Sequence, residues 1–233
     1  MKTKNALLFA ATLTLASAPL LTGSETQSTA PTTDGQGRFW VYRNGPTQPR
    51  MPFTPYGWMS DATNNLTDII KLNVECHERP NTAFRVPGKA ERESCIEVKL
   101  NWDGATWAGV AFISGPDKPA WWGETDKGKY FNLSGLSKKK LVLNWRGERG
   151  GEMVKVQFGV LSGKPYGDSL SKPFVSEEFK LTKEWVRQEI DLSTIPTSEL
   201  TRICNGFGVV ADQASQPGPG KDTTFYIDDV YFE

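Results

Sequence analysis

The segment EMVKVQFGV, residues 152–160, decides the fold class because its side chains alternate between two kinds. Val154, Val156 and Phe158 are apolar, and the residues between them are a lysine and a glutamine. A period of two residues is that of a β-strand with one face in a core and one face in water. The segment therefore predicts a half-buried strand.

Segments of the same kind follow one another along the chain and are separated by turn residues such as Asp103-Gly104 and Gly150-Gly151. A single helical turn is expected near Thr197–Leu200, after a proline. Many short strands at this spacing predict an all-β fold, an antiparallel two-sheet β-sandwich, and their number fits a jelly roll best. The predicted strands are 38–43, 66–74, 81–86, 94–101, 106–114, 139–147, 152–160, 174–181, 184–193, 206–211 and 223–232.

The two ends of the chain differ in character. Residues 1–23 begin with a short basic region, followed by an uncharged apolar stretch, which is typical of a signal peptide and too short for a membrane span. Residues 24–37 are polar and indicate a flexible linker. Residues 38–233 have the length of one domain, a single β-jelly-roll. We therefore expect a secreted protein, or one of the periplasm or cell envelope.

Charge argues against some classes of partner. Lysine plus arginine and aspartate plus glutamate both number 27, and no long basic run occurs. The positive field that attracts nucleic acid is therefore not expected.

Catalysis has few candidate groups. The chain has one histidine, His77, through which a triad would have to pass. Paired carboxylates could still hydrolyse glycosides, and Glu148 with Glu152 is one such pair. A polysaccharide lyase or glycosidase on the same sandwich is therefore kept as an alternative function.

Tryptophan is the most informative residue type, with eight copies. Trp107 and Trp145 alternate with apolar neighbours, so we expect both in the core. Trp121 and Trp122 are adjacent in a polar loop and form either a plug over the sandwich end or an exposed platform on which sugar rings stack. In the platform interpretation the hydroxyl-binding candidates are Glu124, Asp126 and Arg146.

Three cysteines leave one unpaired if a disulfide forms. In an oxidising compartment the Cys76–Cys95 pair would close the shortest loop. Three buried thiols, including Cys204, are the alternative.

Two adjacent acids, Asp228 and Asp229, interrupt the last strand. Alternation would send them to opposite faces, and one would then face inward, where a carboxylate needs an arginine, backbone N–H groups or a hard cation. Calcium is one such cation, and Asp61 in an early loop is a candidate third ligand.

Several motifs together resemble a known family. They are MPFTPYGWMSDA (51–62), WAGVAF (107–112), the run from FNLSG to VQFG (131–159) and the ending FYIDD (225–229). In this order they resemble secreted carbohydrate-binding modules with a galactose-binding-like jelly roll, in particular a set of exported bacterial proteins. The resemblance implies glycan binding and a structural calcium held in part by the Asp228-Asp229 segment.

The sequence thus predicts a monomeric, secreted, non-catalytic domain that binds a polysaccharide, with calcium as cofactor. A structural envelope protein, with its tryptophans buried, is the second alternative to this function.

Overall fold

The structure, a computed structural model, describes residues 33–43, 53–59, 70–76, 95–102, 104–114, 130–136, 138–159, 168–218 and 222–233. Within these ranges the chain forms eleven β-strands and two turns of 3-10 helix, at Thr197–Leu200 and Gln213–Ser215. The expected helical turn is therefore confirmed. The strands are β1 Phe39–Tyr42, β2 Phe53–Met59, β3 Ile70–Cys76, β4 Cys95–Leu100, β5 Trp107–Ser114, β6 Lys140–Gly147, β7 Met153–Phe158, β8 Phe174–Lys180, β9 Val186–Asp191, β10 Asn205–Asp212 and β11 Thr223–Phe232.

The strands form two antiparallel sheets. One has the order β3-β4-β11-β6-β9, with β1 added to β11, and the other has the order β2-β5-β10-β7-β8. Strand β4 pairs with β11, β5 with β10, β6 with β9, and β7 with β8. These nested pairs are those of one long hairpin rolled into two sheets, which is the jelly roll. The predicted fold class is confirmed.

The core lies between the sheets. Its members alternate along each strand, as in β7, where Val154, Val156 and Phe158 are fully buried. Burying an apolar side chain of this size contributes roughly 1.5–3 kcal/mol. At one end the rings of Phe39, Phe53 and Phe131 pack together at centroid distances of 5.1 to 6.0 Å. This packing joins strands of both sheets.

Strand β2 was not predicted because Pro55 lies inside it. Proline cannot donate to a β-ladder, so it is tolerated on an edge strand. Strand β2 is such an edge, since it pairs only with β5 in its sheet. The predicted strand 81–86, the signal peptide 1–23 and most of the linker 24–37 lie outside the described residues. In the part of the chain that is described, no helix is long and apolar enough to cross a membrane.

Candidate functional site: a trough on the five-stranded sheet

The alternation of core residues along β5 shows which residues lie on the outer face of the five-stranded sheet. Ala108, Val110 and Phe112 belong to the core. The residues between them therefore face away from the core, and they include Trp107 and Gly109. Trp107 is only half-buried and is not a core residue, so this expectation was wrong, whereas Trp145 is buried in the core as predicted.

Cross-strand register places large residues at the sides of this face and small residues along its centre. Strands β5 and β10 supply the centre, while β2 and β7 supply the two sides. One row across the sheet is Tyr56, Ala111, Gly208 and Gln157, and the next is Trp58, Gly109, Val210 and Lys155. The result is a trough, with a tyrosine wall on β2 and a polar wall on β7.

Part of the floor of the trough is bare backbone, because each central strand has a glycine where the neighbouring strand comes close. A Cβ atom at Gly109 would lie 2.1 Å from the carbonyl oxygen of Val209. At Gly208 it would lie 3.0 Å from the carbonyl oxygen of Val110. Glycine is therefore required at the first position by close approach of the strands, and any larger residue at the second would be tight.

The polar wall is charged and internally paired. The Lys155 Nζ atom lies 2.6 Å from an Asp212 carboxylate oxygen and 3.8 Å from one of Glu178. The hydrogen bond to Asp212 raises the pKa of Lys155, which keeps the ammonium protonated. All three side chains are between a quarter and two-fifths exposed, so they can contact a ligand in the trough.

One end of the trough is built from buried groups. Tyr130, Cys204 and Ile113 pack together there, and the Arg202 guanidinium lies 4.3 Å from the centre of the Tyr130 ring. The Asp168 carboxylate accepts hydrogen bonds from the backbone of Cys204 and of its neighbour Asn205. Burial raises the pKa of the Cys204 thiol to about 12, so this cysteine is an uncharged packing group.

The predicted tryptophan platform belongs to a segment whose two flanking residues both lie at the Cys204 end of the trough. Ser114 donates its backbone N–H to Cys204, and Phe131, just beyond Tyr130, pairs with Ile203. The segment between them, which contains Trp121, Trp122, Glu124 and Asp126, lies outside the described residues. Their predicted role in stacking and hydroxyl binding stays a prediction.

Arg146, the fifth predicted ligand-binding residue, lies on the other sheet. Its guanidinium is 3.9 Å from the centre of the Tyr226 ring and donates to the carbonyl oxygen of Gly147. Trp145 on one side of it is a core residue, so Arg146 faces outward from the six-stranded sheet. It is therefore not part of the trough.

The terminal acids do not face opposite sides of the sheet, which corrects the expectation from alternation. Ile227 and Val230 are both core residues, with two residues between them. The register with β6 shifts between Asp228 and Tyr231, and Asp229 has a φ of 47°. A β-bulge therefore inserts one residue and lets both carboxylates lie on the outer side.

The bulge concentrates oxygen atoms around Asn144. Asp228 is its cross-strand partner, and its Nδ2 atom donates to Asp229 at 3.1 Å. Asn144 is almost completely buried, yet its Oδ1 atom has no hydrogen-bond partner. Two buried carboxylates beside an unsatisfied amide oxygen are donors that suit calcium. The described residues contain no group of three acids, histidines or cysteines that would complete a site, and Asp61 lies outside them.

The carboxylates of the rival catalytic pair have separate surroundings. The Glu152 carboxylate is buried, accepts the backbone N–H of Arg149 at 2.7 Å and lies where a side chain on Gly147 would be. Glu148 is exposed and accepts a hydrogen bond from the Tyr226 hydroxyl at 2.7 Å. Glu152 thus fastens the turn between β6 and β7. His77 lies outside the described residues.

The cysteines of the expected disulfide are brought opposite each other. Cys76 and Cys95 are cross-strand partners at the ends of β3 and β4. Directly opposed residues in an antiparallel pair have Cα atoms about 4.5–5.5 Å apart, which a disulfide can span. No disulfide is present among the described residues, and the bond stays a prediction.

Sequence reasoning missed the trough. Its signal is present in two segments, WAGVAFI and GFGVVAD, where small residues alternate with core residues. Small residues opposite a core face leave an open channel between larger flanking residues. The strand that carries the tyrosine wall was missed because Pro55 lies inside it.

Comparisons with solved structures give low overall similarity. A family 11 carbohydrate-binding module from Clostridium thermocellum, in complex with a beta-1,3-1,4-mixed-linked tetrasaccharide, has 12% identity and a TM-score of 0.41, covering 80% of this chain and 91% of that one. The family 30 module of a cellulosomal cellulase from the same organism has 11% identity and a TM-score of 0.43, with coverages of 84% and 96%. A family 29 module from Piromyces equi has 13% identity and a TM-score of 0.41, with coverages of 84% and 88%.

No curated protein is significantly similar to the chain. The family model described as "Carbohydrate binding domain 30", however, matches residues 57–233. That range includes ten of the eleven strands in whole or in part, with every strand of the trough. The match covers well over half of the sequence, and the chain belongs to the carbohydrate binding domain 30 family.

Proposed function

We propose that this chain is a non-catalytic module that holds a polysaccharide chain along the trough of the five-stranded sheet. The observation that carries the proposal is the family match, because it covers both central strands, the polar wall on β7 and the end of β2. The trough supplies a geometry to which a linear chain would conform. From Trp107 to Ile113 the face spans seven residues, or six steps along the strand, which is about 20 Å at the rise of an antiparallel strand.

The two walls would act on different parts of a sugar. The C–H face of a pyranose ring packs on an aromatic ring, and Tyr56 on β2 supplies one. Hydroxyl groups need donors and acceptors, which Lys155, Asp212 and Gln157 supply on the opposite wall. Because Gly109 and Gly208 have no side chains, a ring could lie close to the backbone of the floor at these two positions.

The predicted platform extends this proposal. Trp121 and Trp122, with Glu124 and Asp126 beside them, belong to a segment anchored at one end of the trough. We propose that they add a stacking surface there. A Trp122→Ala variant should then weaken polysaccharide binding while the trough keeps residual affinity.

The experiment is affinity electrophoresis of the chain 24–233 on gels containing β-glucan, xylan, mannan or galactan, with the medium assayed for new reducing ends and unsaturated products. Lys155→Ala tests the trough, and Lys138→Ala is the control, because Lys138 is 60% exposed and lies just before β6 of the other sheet. Retardation without products, weakened only by Lys155→Ala, supports the proposal. Products would make the chain a lyase or glycosidase, and no retardation on any polymer would overturn binding.

Calcium is proposed as a structural cofactor at the β11 bulge. Asp228, Asp229 and the Oδ1 atom of Asn144 would hold it, with Asp61 as a further ligand. The cation would offset the charge of two carboxylates that are almost completely removed from water. Its role would be to fasten the last strand, on the sheet opposite the trough.

Thermal unfolding in calcium and in chelator tests this cofactor. Calcium at 100 times its dissociation constant would stabilise the fold by about 2.7 kcal/mol, and Asp229→Asn should abolish the difference. Glu177→Gln, on the other sheet, should leave the difference unchanged. Equal melting temperatures with and without calcium would contradict a structural calcium site at the β11 bulge.

We also propose that the chain is exported, that it acts as a monomer, and that Cys76 and Cys95 form a disulfide in the oxidising compartment. Titration of free thiols in the purified, denatured protein tests the last point. One free thiol is expected, and three would contradict the bond.

A further inference from the structure

A second group of aromatic and polar side chains lies on the outer face of the other sheet. We call it the Trp185 shelf, and it consists of Glu97, Arg146, Glu148, Trp185 and Tyr226. Glu97, Tyr226 and Arg146 are cross-strand partners on β4, β11 and β6. Trp185 lies just before β9 and meets Tyr226 edge to face, with ring centres 6.5 Å apart.

The aromatic part of the shelf is held rigidly. The Arg146 guanidinium lies 3.9 Å from the centre of the Tyr226 ring and 5.9 Å from that of Trp185. Tyr226 is only 4% exposed beneath these groups, while Trp185 keeps part of its surface in water. Trp185 is therefore a supported ring that can accept a flat apolar ligand face at little cost in conformational entropy.

The polar rim of the shelf has unused hydrogen-bonding capacity. The Tyr226 hydroxyl lies 2.7 Å from Glu148 and 3.2 Å from Glu97. A phenol has one hydrogen and donates to one carboxylate at a time, and a carboxylate can accept about four hydrogen bonds, so acceptor positions remain for donors from a ligand beside the existing ion pairs. Glu148 is 48% exposed and can receive them.

The charges of the shelf balance. Lys99 lies 3.1 Å from Glu97, and Arg146 lies 3.8 Å from Glu148. The two acids of the shelf are thus balanced by its one base, Arg146, and by the neighbouring Lys99, which leaves no net field to attract a strongly charged partner. An aromatic ring with a balanced rim of acceptors and donors matches the surface of an uncharged sugar, with apolar C–H faces and hydroxyl edges.

We infer that the Trp185 shelf is a second glycan-binding site, distinct from the trough. This inference rests on the proposed function for the class of its ligand. Core residues Trp145, Phe225 and Ile227 lie between shelf positions, so the shelf faces away from the core, as the trough does from the other sheet. The two sites point in opposite directions across sheets about 10 Å apart. One molecule would therefore bind two glycan chains and link them.

The test uses the chain 24–233 and hexasaccharides prepared from the polysaccharide that retards it most in electrophoresis. Calorimetry gives the stoichiometry, and the indole N–H signal of Trp185, assigned with Trp185→Phe, reports the shelf. We expect two hexasaccharides per molecule. Trp185→Ala should leave one, with the affinity of that site changed less than twofold, and Lys183→Ala in the same loop is the control.

A trough variant, Lys155→Ala with Gln157→Ala, separates the two proposals. We expect its Trp185 indole signal to shift on titration, although trough binding is weakened. One hexasaccharide per molecule, with an unmoved Trp185 signal in wild type, would overturn the shelf and leave the proposed function standing. Failure of the wild type to bind any glycan would contradict both the proposed function and the Trp185 shelf. Circular dichroism melting of each variant confirms that it is folded.

Discussion

Asp34 fastens the start of the described chain to the six-stranded sheet, and its replacement gives a sharp test. The carboxylate accepts hydrogen bonds from the backbone N–H groups of Gln36 and Arg38, from the Arg38 side chain and from the Trp40 indole, all at 2.9 to 3.0 Å. Trp40 in turn packs on Tyr231 of β11. Loss of the carboxylate should therefore loosen β1.

The size of the effect follows from the pKa of Asp34, which is lowered from 3.8 to about 2. Burial raises this pKa, and the hydrogen bonds from Trp40, Arg38 and Gln36 together lower it by more. A difference of about 1.8 pKa units corresponds to about 2.4 kcal/mol at 1.36 kcal/mol per unit. The carboxylate is 22% exposed, so water screens part of this energy and we expect about 2 kcal/mol.

The direction of the pKa shift of Asp34 determines the pH range in which its carboxylate stabilises the fold. Because the folded state lowers the pKa, the stabilisation is fully present above the unfolded value of 3.8 and is lost as the pH falls toward 2. Urea unfolding of wild type and Asp34→Asn should differ by about 2 kcal/mol at pH 7 and converge near pH 2. Glu177 is an exposed acid on β8, and the free energy of unfolding of Glu177→Gln should differ from that of wild type by less than about 0.5 kcal/mol. A gap for Asp34→Asn that is independent of pH would refute the reasoning.

Three further substitutions test other parts of the structure. Gly147→Ala would place a Cβ atom 1.9 Å from the Glu152 carboxylate, and we expect the free energy of unfolding in urea to fall by roughly 1–3 kcal/mol. Gly135→Ala is the control, because a Cβ atom there meets nothing within 4 Å. Gly109→Ala would push apart the central strands, so we expect a lower melting temperature and weaker glycan binding together; binding that survives unchanged would contradict the trough. Lys155→Gln removes one charged donor, and a loss of about 1.4 kcal/mol, or tenfold in affinity, is expected by calorimetry without a change in melting temperature.

Much of the fold could be predicted from the sequence because its strands are half-buried. Alternation such as that of Val154 and Val156 reports a core face directly. The jelly roll was predicted from the number of strands, and the nested pairs from β4 with β11 to β7 with β8 confirm it. Strand β2 could not be found in this way, since Pro55 contradicts strand character and only its place at a sheet edge permits it.

The candidate site was less predictable because it depends on which strands become neighbours. Nothing local in the chain shows that Gly109 lies opposite Val210, or that Lys155 lies beyond it. Trp107 was expected in the core because it alternates with apolar neighbours. Alternation alone does not show which of the two faces of a strand is buried. The β-bulge at Asp228 and Asp229 is likewise invisible in sequence, since it depends on the register with β6.

The most direct test of the account is glycan binding by the trough. Affinity electrophoresis on neutral polysaccharides, with wild type, Lys155→Ala and Lys138→Ala run side by side, measures it. The account predicts retardation of wild type and Lys138→Ala on at least one polymer, clear weakening for Lys155→Ala, and no reaction products. Equal retardation of all three proteins would show that glycan binds elsewhere on the chain, and would contradict the trough as the binding site.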